Sequence, residues 1–324
     1  MKNLIFKYKD KIITENDKTL ICGILNVTPD SFSDGGKFYN KEDAIKGGLE
    51  LAEQGAHMID IGGESTRPGS HYVQIEDEIN RIVPVVKELK EKTDCIISVD
   101  TWKSQVAKAA IEAGAEIIND ITGFLGDPKM AEVVGNSDSG AILMFNPVIG
   151  RPEHEGSKIF PTFGGEGAFT PEELKENTNL PIIEFMDRFF QKSLARASAA
   201  GISKDRIMLD PGIGFGLTKK ENLILIKEID VLKKMGHLTF LGVSRKRFIQ
   251  NILGENGFNN DVKTEEGFAN RDIASSYISV IAALSDVSVI RVHSIKEHKM
   301  ALAIASAIKF AEEEENINFS AYKN

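Results

Sequence analysis

Cysteine and tryptophan are nearly absent from this chain of 324 residues, which holds two of the former and one of the latter. Cys22 and Cys95 sit in separate apolar runs, LICGILN and DCIISVD, and two isolated cysteines form neither a disulfide framework nor a zinc site. Two buried, reduced thiols are expected. Long hydrophobic runs are missing as well. No apolar stretch approaches the roughly 20 residues of a membrane span. The opening MKNLIFKYKDKIITENDK breaks its apolar residues with charges, so the chain reads as soluble and cytoplasmic, without a membrane partner. Positive charge is in deficit: 39 Lys and Arg against 48 Asp and Glu leave a formal charge of −9, which argues against nucleic acid as a partner. What remains is ordinary globular usage, 42% hydrophobic and 27% charged, sufficient for a sizeable core.

From residue 20 onward a unit repeats: a short apolar run, a polar residue at its end, a loop rich in Gly, Pro and Ser, then a helical stretch. The runs are LICGILN (20–26), HMIDIGG (57–63), CIISVD (95–100), EIIND (116–120), GAILMFN (140–146), RIMLD (206–210), LTFLGVS (238–244) and VSVIRVH (287–293). They are continuously apolar rather than alternating, as in parallel strands covered by helices. Amphipathic stretches lie between many of them, and Gly55, Gly114, Gly201 and Gly236 stand where helices should stop. Eight such units predict a single α/β domain over 1–324, folded as a (β/α)8 TIM barrel. Residues 1–19 read as an N-terminal extension, and 147–181 and 254–269 as insertions at the rim. An open doubly wound sheet is the second choice. GIGFG (212–216) does not promote it, because the run lacks G-x-G-x-x-G spacing and follows Asp-Pro.

A barrel turns the C-terminal ends of its strands into the mouth of the active site. Here those ends are Asn26, Asp60, Asp100, Asn119, Asn146, Asp210, Ser244 and His293, with Lys246 and Arg291 beside the last two. Taken singly, Asp60 and Asp120 read equally well as caps of a turn or helix. As a set, buried polar ends demand partners or a ligand. Carboxylates that only accept, with an amide that both donates and accepts, suit a flat heterocycle carrying amino and N–H donors. Positive groups gather in GVSRKRF (242–248) and RVH (291–293), after the seventh and eighth strands, where barrels often hold phosphate. An anion such as phosphate or diphosphate is expected there. His57, His71, His154, His237 and His298 lack metal-ligand spacing. Loops 26–36, with Phe32 at the centre, and 64–69, with Arg67 and Pro68, read as lids.

Seven motifs, NVTPDSFSDGG, DIGGESTRPG, SVDTWKSQVA, IINDITG, LDPGIGFG, GVSRKRFI and RVH, occur in this order between residues 20 and 310. Together they closely resemble bacterial dihydropteroate synthase. The resemblance implies condensation of 6-hydroxymethyl-7,8-dihydropterin diphosphate with p-aminobenzoate, giving 7,8-dihydropteroate and diphosphate. This is a step of folate biosynthesis that sulfonamides inhibit. It further implies Mg²⁺ on the diphosphate and a homodimer. By motif, Asp100, Asn119 and Asp210 would hold the pterin ring, with Met144 against it and Lys246 at its carbonyl side. Asn26, Arg291 and His293 would bind the diphosphate, Asn26 near the metal. Phe32, Thr66, Arg67, Pro68, Phe215 and Ser244 would shape the p-aminobenzoate site, and Asp34 with Arg67 would order the lids. Asp100, Lys246, Arg291 and His293 form the implied catalytic set. Two stretches differ from the family pattern. MFNP (144–147) stands where many members read Met-His, and RVHSI (291–295) puts Ser294 where many carry Asp. Ser294 with Glu297 reads as a capping box for the last helix. Two other readings of the same fold are a methyltetrahydrofolate methyltransferase, which needs no diphosphate site, and a catalytically silent pterin-binding paralogue.

Overall fold

The computed structural model describes residues 3–28 and 41–313. An antiparallel hairpin of β1 (Ile5–Tyr8) and β2 (Lys11–Thr14) comes first. Eight further strands follow: β3 (Leu20–Asn26), β4 (Met58–Gly62), β5 (Ile96–Asp100), β6 (Ile117–Asp120), β7 (Gly140–Met144), β8 (Ile207–Asp210), β9 (Leu238–Gly242) and β10 (Val289–Val292). They pair in parallel and close on themselves when β10 joins β3. Helices α1 (Lys41–Gln54), α2 (Ile75–Lys92), α3 (Ser104–Ala113) and α4 (Met130–Gly135) follow the first four barrel strands in turn. After β7 come α5 (Pro147–Gly150), α6 (Pro171–Asn177) and α7 (Ile182–Ala199); after β8 come α8 (Lys219–Lys227) and α9 (Val231–Lys234). The barrel is completed by α10 (Arg247–Glu255) and α11 (Glu265–Leu284) after β9, and α12 (Ile295–Lys309) after β10. This is the eightfold βα barrel that the apolar runs predict, with strand ends agreeing to within two residues.

The runs are continuously apolar because both strand faces are covered. Ile59, Ile97, Ile118, Leu209 and Ile290 face the helices, while Met58, Ile96, Ile117, Met208 and Val289 fill the barrel interior. Phe6, Tyr8 and Ile13 of the hairpin join that interior cluster and form the floor of the barrel. Burying a side chain of the Phe6 kind is worth about 2–3 kcal/mol, so residues that read as an extension complete the core. Buried Glu116 ties the hairpin down through Lys11 at 3.0 Å, and meets Lys90 of α2 at 2.9 Å.

Three local readings change in the structure. Strand β7 stops at Met144, and Asn146 instead caps α5: its amide accepts from Val148 N at 3.1 Å and donates to the Ile121 carbonyl at 2.9 Å. Asn146 therefore serves backbone groups rather than the mouth. Residues 265–269, read as part of an insertion, are the first turns of α11. Finally, α11 spans 20 residues without an ordinary amphipathic signal, since Ser275, Ser276, Ser279, Ala282 and Ala283 face inward while Ile273, Tyr277 and Ile281 face solvent.

Candidate active site

Above the apolar floor, the next inward positions carry charge. Register sets Asp60 beside Ser98, Gly62 between Asn26 and Asp100, and Asn119 beside Asp100. Arg291 reaches into this layer from β10. Its Nε donates to Asp60 Oδ2 at 2.5 Å and its Nη2 to Asp100 Oδ2 at 2.7 Å. Asp60 also accepts from Asn119 Nδ2 at 3.0 Å and from Ser98 Oγ at 2.6 Å. Four strands thus contribute to one connected network with the fully buried Asp60 at its hub. The cap reading fails for Asp60 and holds for Asp120, whose carboxylate accepts from Thr122 N, Thr122 Oγ1 and Phe124 N at 2.7, 2.6 and 2.9 Å.

Burial sets the protonation of the layer. It pushes the Asp100 carboxyl up to about 7, against the pull of Arg291 and with Asp60 adding to the rise. Asp210 is likewise pushed up to about 6 by burial, partly offset by the Gly212 N–H at 2.7 Å and by Lys246. Burial lowers the Lys246 ammonium to about 8 while Asp210 opposes the change. Arg291 is half-buried, and Asp60 and Asp100 hold it firmly charged. His293 falls well below its usual range, first through burial and then through Arg245, Arg291, Arg67 and Lys246 around it. At neutral pH it is an uncharged imidazole, so positive charge at the anion site comes from its neighbours.

Local backbone geometry holds these groups in place. Gly212 adopts φ +70°, and a Cβ there would stand 1.8 Å from the Phe145 carbonyl oxygen, so this loop can approach β7 only with glycine. Arg245 is left-handed at φ 58°, a conformation that costs a side-chain-bearing residue about 1–2 kcal/mol. Its guanidinium grips Asp272 of α11 at 2.6 and 2.8 Å, its N–H donates to Ser275 Oγ at 3.0 Å, and its carbonyl accepts from Arg271 at 2.6 Å. Helix α11 thereby fixes the turn that presents Ser244 and Lys246. No sequence spacing links 245 to 272, so this clamp was not legible beforehand.

Most of the residues singled out in the sequence converge on the mouth. Met144 is buried in register with Asp210. Lys246 Nζ lies 4.9 Å from the centroid of Phe215, which stacks on Phe160 at 5.5 Å. Ser244 Oγ accepts from His293 N at 3.2 Å and meets its Nδ1 at 3.0 Å. Asn26 is half-buried at the end of β3. On the rim, Arg67 and Pro68 are exposed and Thr66 is half-buried; the charge of Arg67 still bears on Lys246 and His293. Phe32 and Asp34, and with them most of loop 26–36, lie outside the described residues. Ser294 holds the N-cap position of α12, but its hydroxyl donates to the Glu297 carboxylate instead of accepting from the helix N–H groups. The expected capping box does not form.

Residues 22–293 match the family described as pterin binding enzyme. The dihydropteroate synthase of Clostridium beijerinckii is 37% identical to the chain over 302 residues, 93% of this chain and 98% of that protein. The chain belongs to the dihydropteroate synthase family. Its fold agrees with that assignment. The structure of Xanthomonas albilineans dihydropteroate synthase with 4-aminobenzoic acid superimposes with a TM-score of 0.75 at 33% identity, covering 94% of this chain and 98% of that one. The Yersinia pestis dihydropteroate synthase bound to a sulfonamide drug gives 0.75 at 31% identity, covering 95% and 100%. As a dihydropteroate synthase the chain is a transferase of folate biosynthesis. Among its described residues, no helix is long and apolar enough to cross a membrane.

Proposed function

We propose that the chain condenses 6-hydroxymethyl-7,8-dihydropterin diphosphate with p-aminobenzoate, and that Asp100, Asn119, Asp210 and Lys246 receive the pterin ring with Met144 against it. The observation that supports this reading is the buried acceptor layer with its raised carboxyls beside Arg291. Ring N–H donors would compete with Arg291 for Asp100, turning the guanidinium toward the diphosphate. In the reaction, the bond from the pterin methylene carbon to diphosphate oxygen breaks, and the arylamine nitrogen bonds to that carbon and gives up one proton. An arylamine is neutral at pH 7, so no strong base is required. Asp100 and Asp210, ionised in the complex, favour positive charge developing on the ring and methylene. Arg291, with His293 as an uncharged donor, stabilises the departing anion, a type of contact worth about 2.7–4 kcal/mol in a transition state. Thr66, Arg67, Pro68, Phe215 and Ser244 would hold p-aminobenzoate, and sulfonamides, which resemble it, would compete there.

No group of three or more His, Cys, Asp or Glu among the described residues could hold a metal. The single half-buried Asn26 amide at the end of β3 fits Mg²⁺, which is commonly held by one or two protein ligands together with substrate phosphates. Asn26 would contribute its amide oxygen, and the ion would supply charge neutralisation on the diphosphate. The apolar faces of α11 and α12 support a homodimer: Tyr277, Ile281, Met300 and Ile304 stand exposed at helical spacing on two helices that pack together. Tyr277→Glu should then sediment as a monomer. Two buried free thiols suit a reducing, cytoplasmic setting. The deciding experiment for the activity is diphosphate release that requires both substrates, with 7,8-dihydropteroate identified by mass. No release from the wild type would leave a silent pterin binder.

A further inference from the structure

A second cluster of buried charge lies outside the residues assigned above. The side chain of Lys103, just before α3, is 3% exposed. Its Nζ lies 2.6 Å from Glu64 Oε2, 2.7 Å from Glu78 Oε2 and 2.6 Å from the Val73 carbonyl oxygen, which occupies all three donors of an ammonium. Glu64 and Val73 are the two ends of the rim segment that carries Thr66, Arg67 and Pro68. Val73 N–H donates back to Glu64 Oε2 at 2.6 Å. One ammonium and one carboxylate therefore close the segment into a loop with a fixed base and an exposed tip.

The base is also tied sideways. Trp102 Nε1 donates to Glu64 Oε1 at 2.8 Å. Tyr72 meets Trp102 edge-on at 6.0 Å and covers Lys103, whose Nζ lies 4.0 Å from the Tyr72 ring centroid. On its other side Trp102 meets Phe163 edge-on at 6.4 Å, so the loop base leans on the long connection after β7. Glu78 is held by Thr101 Oγ1 at 2.9 Å as well as by Lys103. A linker between β4 and α2 has no need of this. Burying one cation between two carboxylates carries a desolvation cost of several kcal/mol per ion before the pairing returns it. An arrangement that fixes both ends of one rim loop at such a cost specifies where the tip stands, and the tip residue Arg67 acts electrostatically on Lys246 and His293.

We infer that Lys103 is a positioning residue for the arylamine half of the reaction: by holding Glu64 and Val73 together, it sets where Thr66, Arg67 and Pro68 stand over the mouth. This rests on the reading that the loop serves p-aminobenzoate. The test is steady-state kinetics of full-length Lys103→Met, Glu64→Gln and Arg67→Ala, with the fluorescence of Trp102, the sole tryptophan of the chain, as a reporter of the loop base. In all three variants KM for p-aminobenzoate should rise at least about tenfold while KM for the dihydropterin diphosphate stays within about twofold, since misplacing a binding group by about 1 Å readily has effects of this size. Trp102 emission should shift to the red in Lys103→Met and Glu64→Gln and stay in place in Arg67→Ala. If Arg67→Ala raises KM for p-aminobenzoate while Lys103→Met moves the emission and leaves that KM alone, the inference falls and the arylamine reading stands. If neither variant changes it, the arylamine reading falls and takes the inference with it. Equal losses for both substrates in Lys103→Met would mean general loosening and also overturn the inference. Should Lys103→Met fail to fold, Glu64→Gln decides on the same criteria.

Discussion

Asp100 should make pterin binding strongly pH-dependent. In the ligand-free enzyme, burial holds its carboxyl at about 7. A ring that donates N–H groups to it binds the ionised form, and in the complex those donors return the group toward an ordinary carboxylate value near 4. Binding then weakens by nearly tenfold for each pH unit below 7. Between about pH 8 and pH 5 the share of Asp100 in the loss approaches a hundredfold, or about 2.7 kcal/mol at 1.36 kcal/mol per unit, and Asp210 adds to it below about pH 6. Isothermal titration with 6-hydroxymethylpterin, which carries no diphosphate, measures this directly, and buffers of different ionisation enthalpy count the proton released. In Asp100→Asn affinity should be lower, and its remaining pH dependence should centre near 6, where Asp210 titrates. A flat profile in the parent, or a variant curve that overlays it, would refute the assignment. Stability of the empty enzyme runs the other way. The folded protein keeps a proton on Asp100 that the unfolded chain releases near 4, so this contribution is full below about pH 4 and fades as pH rises through about 7. Ligand-free Tm should fall over the range in which pterin stabilisation grows.

Arg291→Ala removes the counter-charge of both Asp60 and Asp100, and should lower stability by about 3–5 kcal/mol in chemical denaturation. The same change should drive the Asp100 carboxyl still higher, weakening bare pterin at neutral pH as well as slowing diphosphate release. Gly212→Ala sets a methyl group against the Phe145 carbonyl and displaces the N–H that Asp210 accepts. A loss above about 2 kcal/mol is expected in thermal melts, because strain and overpacking act together. Ser294→Ala should change stability by less than about 0.5 kcal/mol, well short of the roughly 1 kcal/mol of a lost helix cap. A full cap-sized loss would mean that the hydroxyl does bond the helix N–H groups in solution.

The barrel was legible because its strands, covered on both faces, leave continuous apolar runs that stop at polar residues, and Asp100, Asn119 and Asp210 could be read at those stops. Asp60 was not separable from Asp120 by the same rule. Asp60 lies inside HMIDIGG and Asp120 ends EIIND, each with isoleucine next to it, and only the arrival of Arg291 from 231 residues away makes one a hub and leaves the other a turn cap. Helix α11 went unread because its polarity is inverted: serines pack inward against the Arg245 turn and His298 of α12, and apolar residues face out, which defeats a search for an inward apolar stripe. Asn146 misled for a different reason. Strand runs carry no mark of where pairing ends, and Pro147 at the first helical position had already begun α5. The Lys103 cluster has no local signal either, since Glu64, Glu78 and Lys103 meet only after two βα units have wound past each other.

The contact between Arg291 and the two aspartates also orders events in time. Asp60 and Asp100 belong to the second and third barrel strands, and their counter-charge rides on the eighth, 231 and 191 residues later. A chain emerging from the ribosome therefore carries both acids through most of its synthesis with no cation to meet them. Before β10 takes its place between β9 and β3, neither acid has this partner. Ring closure and desolvation of these acids are then one kinetic step, added to the slow search that so long a loop already imposes. Closure should be faster near pH 4, where the hydrated Asp100 is already half protonated, than at neutral pH, where its ionised form must shed its water before Arg291 can grip it.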